Sequence, residues 1–283
     1  MKKIAVVTGA SSGMGRETAL QLADRFSWLD EIWLIARREE RLVRLKKELP
    51  CPSRIFELDL TDPSALSSLS AALEEEKPRI VFLVNAAGYG KIGRAGEVSL
   101  SEEMGMPDLN CTALTGVTHL ALPYMGENSR ILQFASSAAF LPQPGFAVYA
   151  ATKAFVLSYS RALGEEVKRR GIYVTAVCPG PVKTEFFDIA QTSGKIPLYK
   201  MLAMANPKKV VKLAIRDSVM KKSVSVYGPL MKLFRLAAKV LPHRLLLSLM
   251  AVLSPEQTVP VCRERDKTDT KNEYAGEHTH EKN

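Results

Sequence analysis

Short apolar runs alternate with longer amphipathic stretches along most of the chain. Six runs carry little polar alternation: Ile4 to Val7, Ile32 to Ala36, Ile55 to Leu58, Ile80 to Val84, Ile131 to Ala135, and Tyr173 to Val177. Such runs suit strands buried on both faces, and parallel strands need a crossover between them, usually a helix. The intervening segments have helical period and helical stops: Gly13 to Phe26, Arg38 to Leu49, Pro63 to Glu76, Leu100 to Met125, Val148 to Arg170 and Pro207 to Met220. The pattern predicts an α/β fold with a doubly wound parallel sheet of the Rossmann type. Gly105 and Pro107 interrupt the segment from Leu100 to Met125, so that element is expected to start late or bend there.

A last strand over Val224 to Tyr227 completes a sheet domain of residues 1–228. The pattern then changes. An extension over 229–255 contains Leu230 to Leu253, which is rich in leucine, carries Lys232, Arg235, Lys239 and Arg244, and is split by Pro242. It reads as two short amphipathic helices that pack on the sheet domain, build a dimer, or lie peripherally on an anionic membrane; the pattern admits all three. Residues 256–283 are polar and are expected to be a disordered tail.

With 46% hydrophobic and 24% charged residues over 283 positions, the chain is neither disordered as a whole nor collagen-like. The cysteines Cys51, Cys111, Cys178 and Cys262 stand far apart without a CxxC pair. That spacing speaks for reduced thiols in a cytoplasmic protein and against a disulfide scaffold or zinc site. Met1-Lys2-Lys3 precedes only four apolar residues, a buried strand rather than a signal peptide, and no apolar stretch reaches the roughly 18 residues of a membrane span. The net charge of +9 suits acidic partners, but the positive residues are dispersed without interleaved aromatics, which excludes nucleic acid. His278 and His280 lack neighbouring ligands in sequence, so no metal is expected.

Candidate chemistry begins after the first strand, where Thr8-Gly9-Ala10-Ser11-Ser12-Gly13-Met14-Gly15 forms a glycine-rich turn opening a helix. Glycines let backbone amides approach a pyrophosphate, and the helix N-terminus favours its negative charge. At the end of the second strand stands Ala36-Arg37 rather than an acid. An arginine there can pair with a 2′-phosphate, so NADP(H) is expected over NAD(H), while Arg38, Arg41 and Arg44 read as the solvated start of the next helix. Tyr149 and Lys153 are four apart on one helix, bringing an ammonium beside a phenol that can exchange a proton with a carbonyl oxygen. Ser136 ends a strand where its hydroxyl can reach the same oxygen, and Ser137 reads as a cap or turn residue.

In order and spacing these residues closely resemble the short-chain dehydrogenase/reductase family, from about Lys3 to Tyr227. Gly9, Ser11, Ser12, Gly13, Met14 and Gly15 lie in a match to the family's TGxxxGxG coenzyme loop. Asp59-Leu60 resembles its adenine contact, and Asn85-Ala86-Ala87-Gly88 its NNAG turn. Pro179-Gly180-Pro181-Val182-Lys183-Thr184 resembles PGxVxT, implying that Val182 and Thr184 hold the nicotinamide carboxamide. Asn110, Ser136, Tyr149 and Lys153 match the catalytic tetrad. The resemblance implies that Tyr149 is the acid/base and that Lys153 binds the nicotinamide ribose and lowers the Tyr149 pKa. It also implies that Ser136 positions the carbonyl, that Asn110 supports a proton-relay water, and that the protein is a homodimer or homotetramer.

The expected activity is NADPH-dependent interconversion of a carbonyl and an alcohol by hydride transfer. The segment from Glu185 to Asn206 holds Phe186, Phe187, Ile189, Ile196, Leu198, Tyr199, Met201, Leu202 and Met204, which suits a flexible apolar lid over a lipophilic steroid, acyl or similar substrate. The alternative is a catalytically silent coenzyme-binding or membrane-associated regulator.

Overall fold

A computed structural model describes residues 1–186, 190 and 204–253. Seven strands form one sheet in the order β3-β2-β1-β4-β5-β6-β7, every neighbouring pair parallel. They are β1 (Lys3–Thr8), β2 (Glu31–Ala36), β3 (Ser53–Glu57), β4 (Arg79–Asn85), β5 (Arg130–Phe134), β6 (Tyr173–Val177) and the short β7 (Val224–Ser225). Consecutive residues of a strand supply opposite faces. Ala5, Val7, Ile32 and Leu34 pack with α1 (Gly13–Arg25), α2 (Glu39–Glu48) and α7 (Pro207–Val219). Ile4, Val6, Trp33 and Ile35 pack with α3 (Pro63–Glu76), α5 (Leu114–Ala121) and α6 (Ala147–Val167). The sheet is therefore covered on both sides, as the unalternating strands require.

Local sequence sets the helix starts. Asp62 and Asn206 cap α3 and α7, accepting from the amides of Ser64 (2.8 Å) and Lys208 (2.9 Å), with Pro63 and Pro207 at the first helical position.

The segment after β4 is helical from the predicted Leu100, and its regular path is interrupted at Pro107 rather than by a late start. Helix α4 (Leu100–Pro107) gives way to a π-helical turn over Asp108–Ala113 before α5. Pro107 closes α4: it gives no N–H to the carbonyl one turn back, and the helical path continues past it as a wider turn. Gly105 is required where it stands, because a Cβ there would collide with the Tyr89 hydroxyl, which donates to the Glu102 carbonyl at 3.1 Å.

Beyond β7, α8 (Pro229–Val240) and α9 (His243–Leu253) are separated at Pro242, as the pattern predicts. Residues Met1–Leu247 form one compact unit; a second begins at Ser248, of which the end of α9 is described. Of the predicted apolar lid, Phe186 and Met204 are described, while Phe187, Ile189, Ile196, Leu198, Tyr199, Met201 and Leu202 lie outside the described residues, as does the predicted tail over 256–283. Among the described residues no helix is long and apolar enough to cross a membrane.

Candidate active site

Strand order reverses between β1 and β4, and the carboxyl ends of these strands flank a crevice where open α/β sheets bind ligands. Thr8 Oγ1 ties the two ends together, accepting from the amides of Ala86 (3.1 Å) and Ala87 (3.2 Å). Gly9, at φ +66°, sits so close to the second turn that a Cβ would lie 2.7 Å from Ala87 N and 2.8 Å from Ala86 O. A Cβ on Gly15 would in turn strike the Gly9 carbonyl. The glycines thus let the loop fold flat against β4 and α1 start within reach of the crevice.

Ser12, the N-cap of α1, is extended and makes no side-chain cap, so no side chain answers the first-turn amides. That end of the helix faces a cavity of about 580 Å³. Gly9, Ser11, Ser12, Gly13, Met14, Gly15, Arg37, Asp59, Leu60, Ala86, Gly88, Tyr149, Lys153 and Thr184 all line it. Close glycines, an uncapped helix end and a long cavity fit a dinucleotide phosphate.

The rim corrects one expectation. Arg38, read from sequence as a solvated residue, donates to Ser12 Oγ (3.0 Å) and Ser11 Oγ (3.2 Å) and pairs with Glu185 at 3.4 Å. Arg41 reaches Glu185 at 2.7 Å. Hydrogen bonds from Arg41, with the charges of Arg41 and Arg38, hold the Glu185 carboxyl below its ordinary pKa. Arg37 also lines the cavity, but its side chain is 71% exposed and 3.6 Å from Asp59. Burial works to raise the Asp59 pKa, yet hydrogen bonds from Thr61 and the nearby Arg37 outweigh it.

Four predicted coenzyme contacts do not line this cavity. Asn85 is in the core, its Nδ2 donating to Thr118 Oγ1 and Gln133 Oε1, both at 2.9 Å. Its side chain braces β4 against β5 and α5. The Pro179 carbonyl accepts from the Ser137 amide at 2.8 Å, and a Cβ on Gly180 would meet Met231 Sδ of α8 at 2.7 Å. Val182 is buried and bridges to Ala205. This turn packs against α8, and Thr184 is the member that reaches the cavity.

The predicted tetrad converges at the inner end. Tyr149 and Lys153 are both buried on α6, with Lys153 Nζ 5.6 Å from the Tyr149 ring centre and donating to the Phe134 carbonyl at 2.8 Å. Asn110, fully buried in the π turn, donates to the Tyr89 carbonyl (2.8 Å) and Thr152 Oγ1 (3.0 Å) and accepts from the Tyr89 amide (3.0 Å). Both its N–H groups are therefore committed, leaving capacity only on Oδ1. A Cβ on Gly88 would lie 2.7 Å from that oxygen and 3.3 Å from Lys153 Nζ. Ser136 accepts from the Ala138 amide at 3.1 Å, so it is Ser136, rather than Ser137, that caps the short 3₁₀ turn, with its hydroxyl near that of Tyr149.

Burial dominates the electrostatics of the Tyr149–Lys153 pair. Burial pushes the Tyr149 pKa up to about 12, partly opposed by the nearby Ser136 hydroxyl. Lys153 is itself desolvated, which brings its pKa down to about 8. Sequence reasoning missed Phe146, stacked on Tyr149 at 4.2 Å, whereas Phe186, read as part of the substrate lid, is tilted on Tyr149 at 5.4 Å. The i−3 spacing of Phe146 on the Tyr149 face was the available clue.

The profile of the short chain dehydrogenase family matches residues 3–193. Sulfoacetaldehyde reductase 2 of Chromohalobacter salexigens is 38% identical over 200 residues, 69% of this chain and 78% of the relative. Serine 3-dehydrogenase of Rhizobium radiobacter is 36% identical over 194 residues, 67% and 75%. A short-chain dehydrogenase from Sphingobium yanoikuyae, solved in complex with NADPH, superposes with a TM-score of 0.71 at 28% identity, covering 92% of this chain and 99% of that one. The chain belongs to the short-chain dehydrogenase family and is an NAD(P)-dependent oxidoreductase.

Proposed function

We propose that the protein reduces a ketone or aldehyde on an apolar body to the alcohol, with NADPH preferred over NADH. The observation that carries this reading is the buried Tyr149 side chain, with Ser136 and Lys153 beside it, in the wall of the phosphate-fitting cavity. When bound, the dinucleotide supplies the hydride equivalent. With a pKa of about 12 the Tyr149 phenol is protonated at neutral pH, so Oη is ready to give its proton to a carbonyl oxygen. Ser136 Oγ–H donates to that same oxygen and fixes its position. Lys153, held by the Phe134 carbonyl, keeps two further N–H groups for the coenzyme ribose, and Asn110 fixes the Tyr89 backbone with Oδ1 open to a relay water.

Coenzyme preference rests on Arg38, with Arg37 as a weaker exposed partner; both offer guanidinium forks to a 2′-phosphate. Gly9 to Gly15, Asp59, Leu60, Ala86, Gly88 and Thr184 would line the remainder of the dinucleotide. An apolar substrate is supported by the cluster around Tyr149, in which Met106, Ala138 and Phe146 pack with Tyr89, Ile92 and Phe186. Free thiols at Cys51, Cys111 and Cys178 support a reducing, cytoplasmic setting, and the proposed assembly is a homodimer or homotetramer.

Titrating the purified protein with NADPH and NADH by coenzyme fluorescence tests the reading. Tight NADPH binding with weaker NADH binding is the expected result. Binding of neither would refute the coenzyme assignment, and equal binding would refute the preference.

A further inference from the structure

We infer that the outer face of α8 and the start of α9 form a docking surface for an anionic lipid membrane, on which the protein lies without crossing it. The inference is independent of the coenzyme reading. Helix α8 presents three arcs. Met231, Phe234 and Ala238 turn inward: Phe234 meets Phe140 at 6.3 Å, Met231 packs near Gly180, and Ala238 is buried. This face anchors the helix to the sheet domain.

A second arc is apolar and exposed: Leu230 (60%), Leu233 (63%), Leu236 (58%) and Val240 (69%), continued past the helix by Leu241 (41%) and Leu245 (57%). The other large exposed apolar side chains are scattered between Met1 and Met220. A continuous exposed apolar strip on an otherwise polar surface marks an interaction site.

The third arc names the partner. Lys232, Arg235 and Lys239 return to one side of α8 at spacings of three and four, flanking the apolar strip, and Arg244 follows on α9. Arg235 leans over the Phe140 ring at 6.0 Å, while Lys232 and Lys239 are exposed. From Ser218 to Pro255 the sequence contains no Asp or Glu. A second copy meeting this face about a two-fold axis would bring the same cations against themselves without a counter-charge. An anionic bilayer complements both arcs at once: leucines enter the headgroup boundary while lysines and arginine meet phosphates.

The test is co-sedimentation of the full chain with vesicles of phosphatidylcholine alone and of phosphatidylcholine with about one-third phosphatidylglycerol, compositions chosen to isolate charge. Expected are binding to the anionic vesicles, weak binding to neutral ones, and loss on raising salt. Each of Lys232→Gln and Lys239→Gln should cost about fivefold in vesicle affinity. Leu233→Ser with Val240→Ser should abolish sedimentation while leaving the thermal melt unchanged, since both side chains are exposed. Absence of binding to anionic vesicles, or undiminished binding by the serine variant, overturns the proposal. So does a wild-type dimer that the serine variant converts to monomer while neither sediments, because the face then belongs to a second copy.

Discussion

Arg38→Ala should weaken NADPH binding without touching NADH. The guanidinium lies over Ser11 and Ser12 of the glycine loop, where a 2′-phosphate on the adenosine ribose would meet it. A charge-assisted hydrogen bond contributes about 1.5–3 kcal/mol when desolvated. With the Arg38 side chain 37% exposed, about 1–2 kcal/mol is the reasonable range after solvent screening. Glu185 already occupies Arg38 at 3.4 Å, so a phosphate exchanges one anion for another and the lower half applies, roughly five- to tenfold in affinity. Arg37, 71% exposed, should cost less, up to about fivefold, as exposed pairs do. Fluorescence titration of both variants with both coenzymes decides. Equal losses for NADPH and NADH, or a larger loss from Arg37→Ala than from Arg38→Ala, would refute the reasoning.

Two further outcomes follow from buried polar groups. Asn85→Ala strips Thr118 and Gln133 of a shared buried donor and should lower stability by about 1–3 kcal/mol in urea unfolding, with little change in coenzyme affinity. If affinity falls instead and stability holds, Asn85 is a coenzyme contact after all. Lys153 has a folded-state pKa of about 8 against 10.5 for the free side chain, so between those values the unfolded chain binds more protons. Its contribution to stability therefore rises with pH over that window. Lys153→Met should flatten the difference between urea midpoints at about pH 8 and pH 10, and an unchanged pH slope would contradict the burial argument.

The sheet was legible because its strands are buried on both faces. Tyr173–Val177 and Pro63–Glu76 match the predicted bounds, and most other elements differ by a residue or two at fraying ends. Pro107 marks where the regular helix ends, but a proline removes one hydrogen bond without dictating the path beyond it. Here a π turn follows it and delivers Asn110 to Tyr89. Within the site, residues whose spacing on one element fixes their direction, such as Tyr149 with Lys153, were readable. Those depending on how two elements meet were not. The hydrogen bonds of Arg38 follow from the approach of α2 to the glycine loop, and the inward turn of Asn85 from side-chain parity along β4. The burial that raises the Tyr149 pKa and lowers that of Lys153 was equally hidden, since spacing along a helix does not report desolvation.

The central claim is that the Tyr149 hydroxyl delivers the proton. Tyr149→Phe removes that one oxygen and leaves the ring stacked on Phe146, so coenzyme affinity should stay within about twofold while NADPH-dependent reduction of apolar ketones and aldehydes falls by about 10²–10⁴. Turnover by Tyr149→Phe at the wild-type rate, with NADPH bound equally well, would contradict the account.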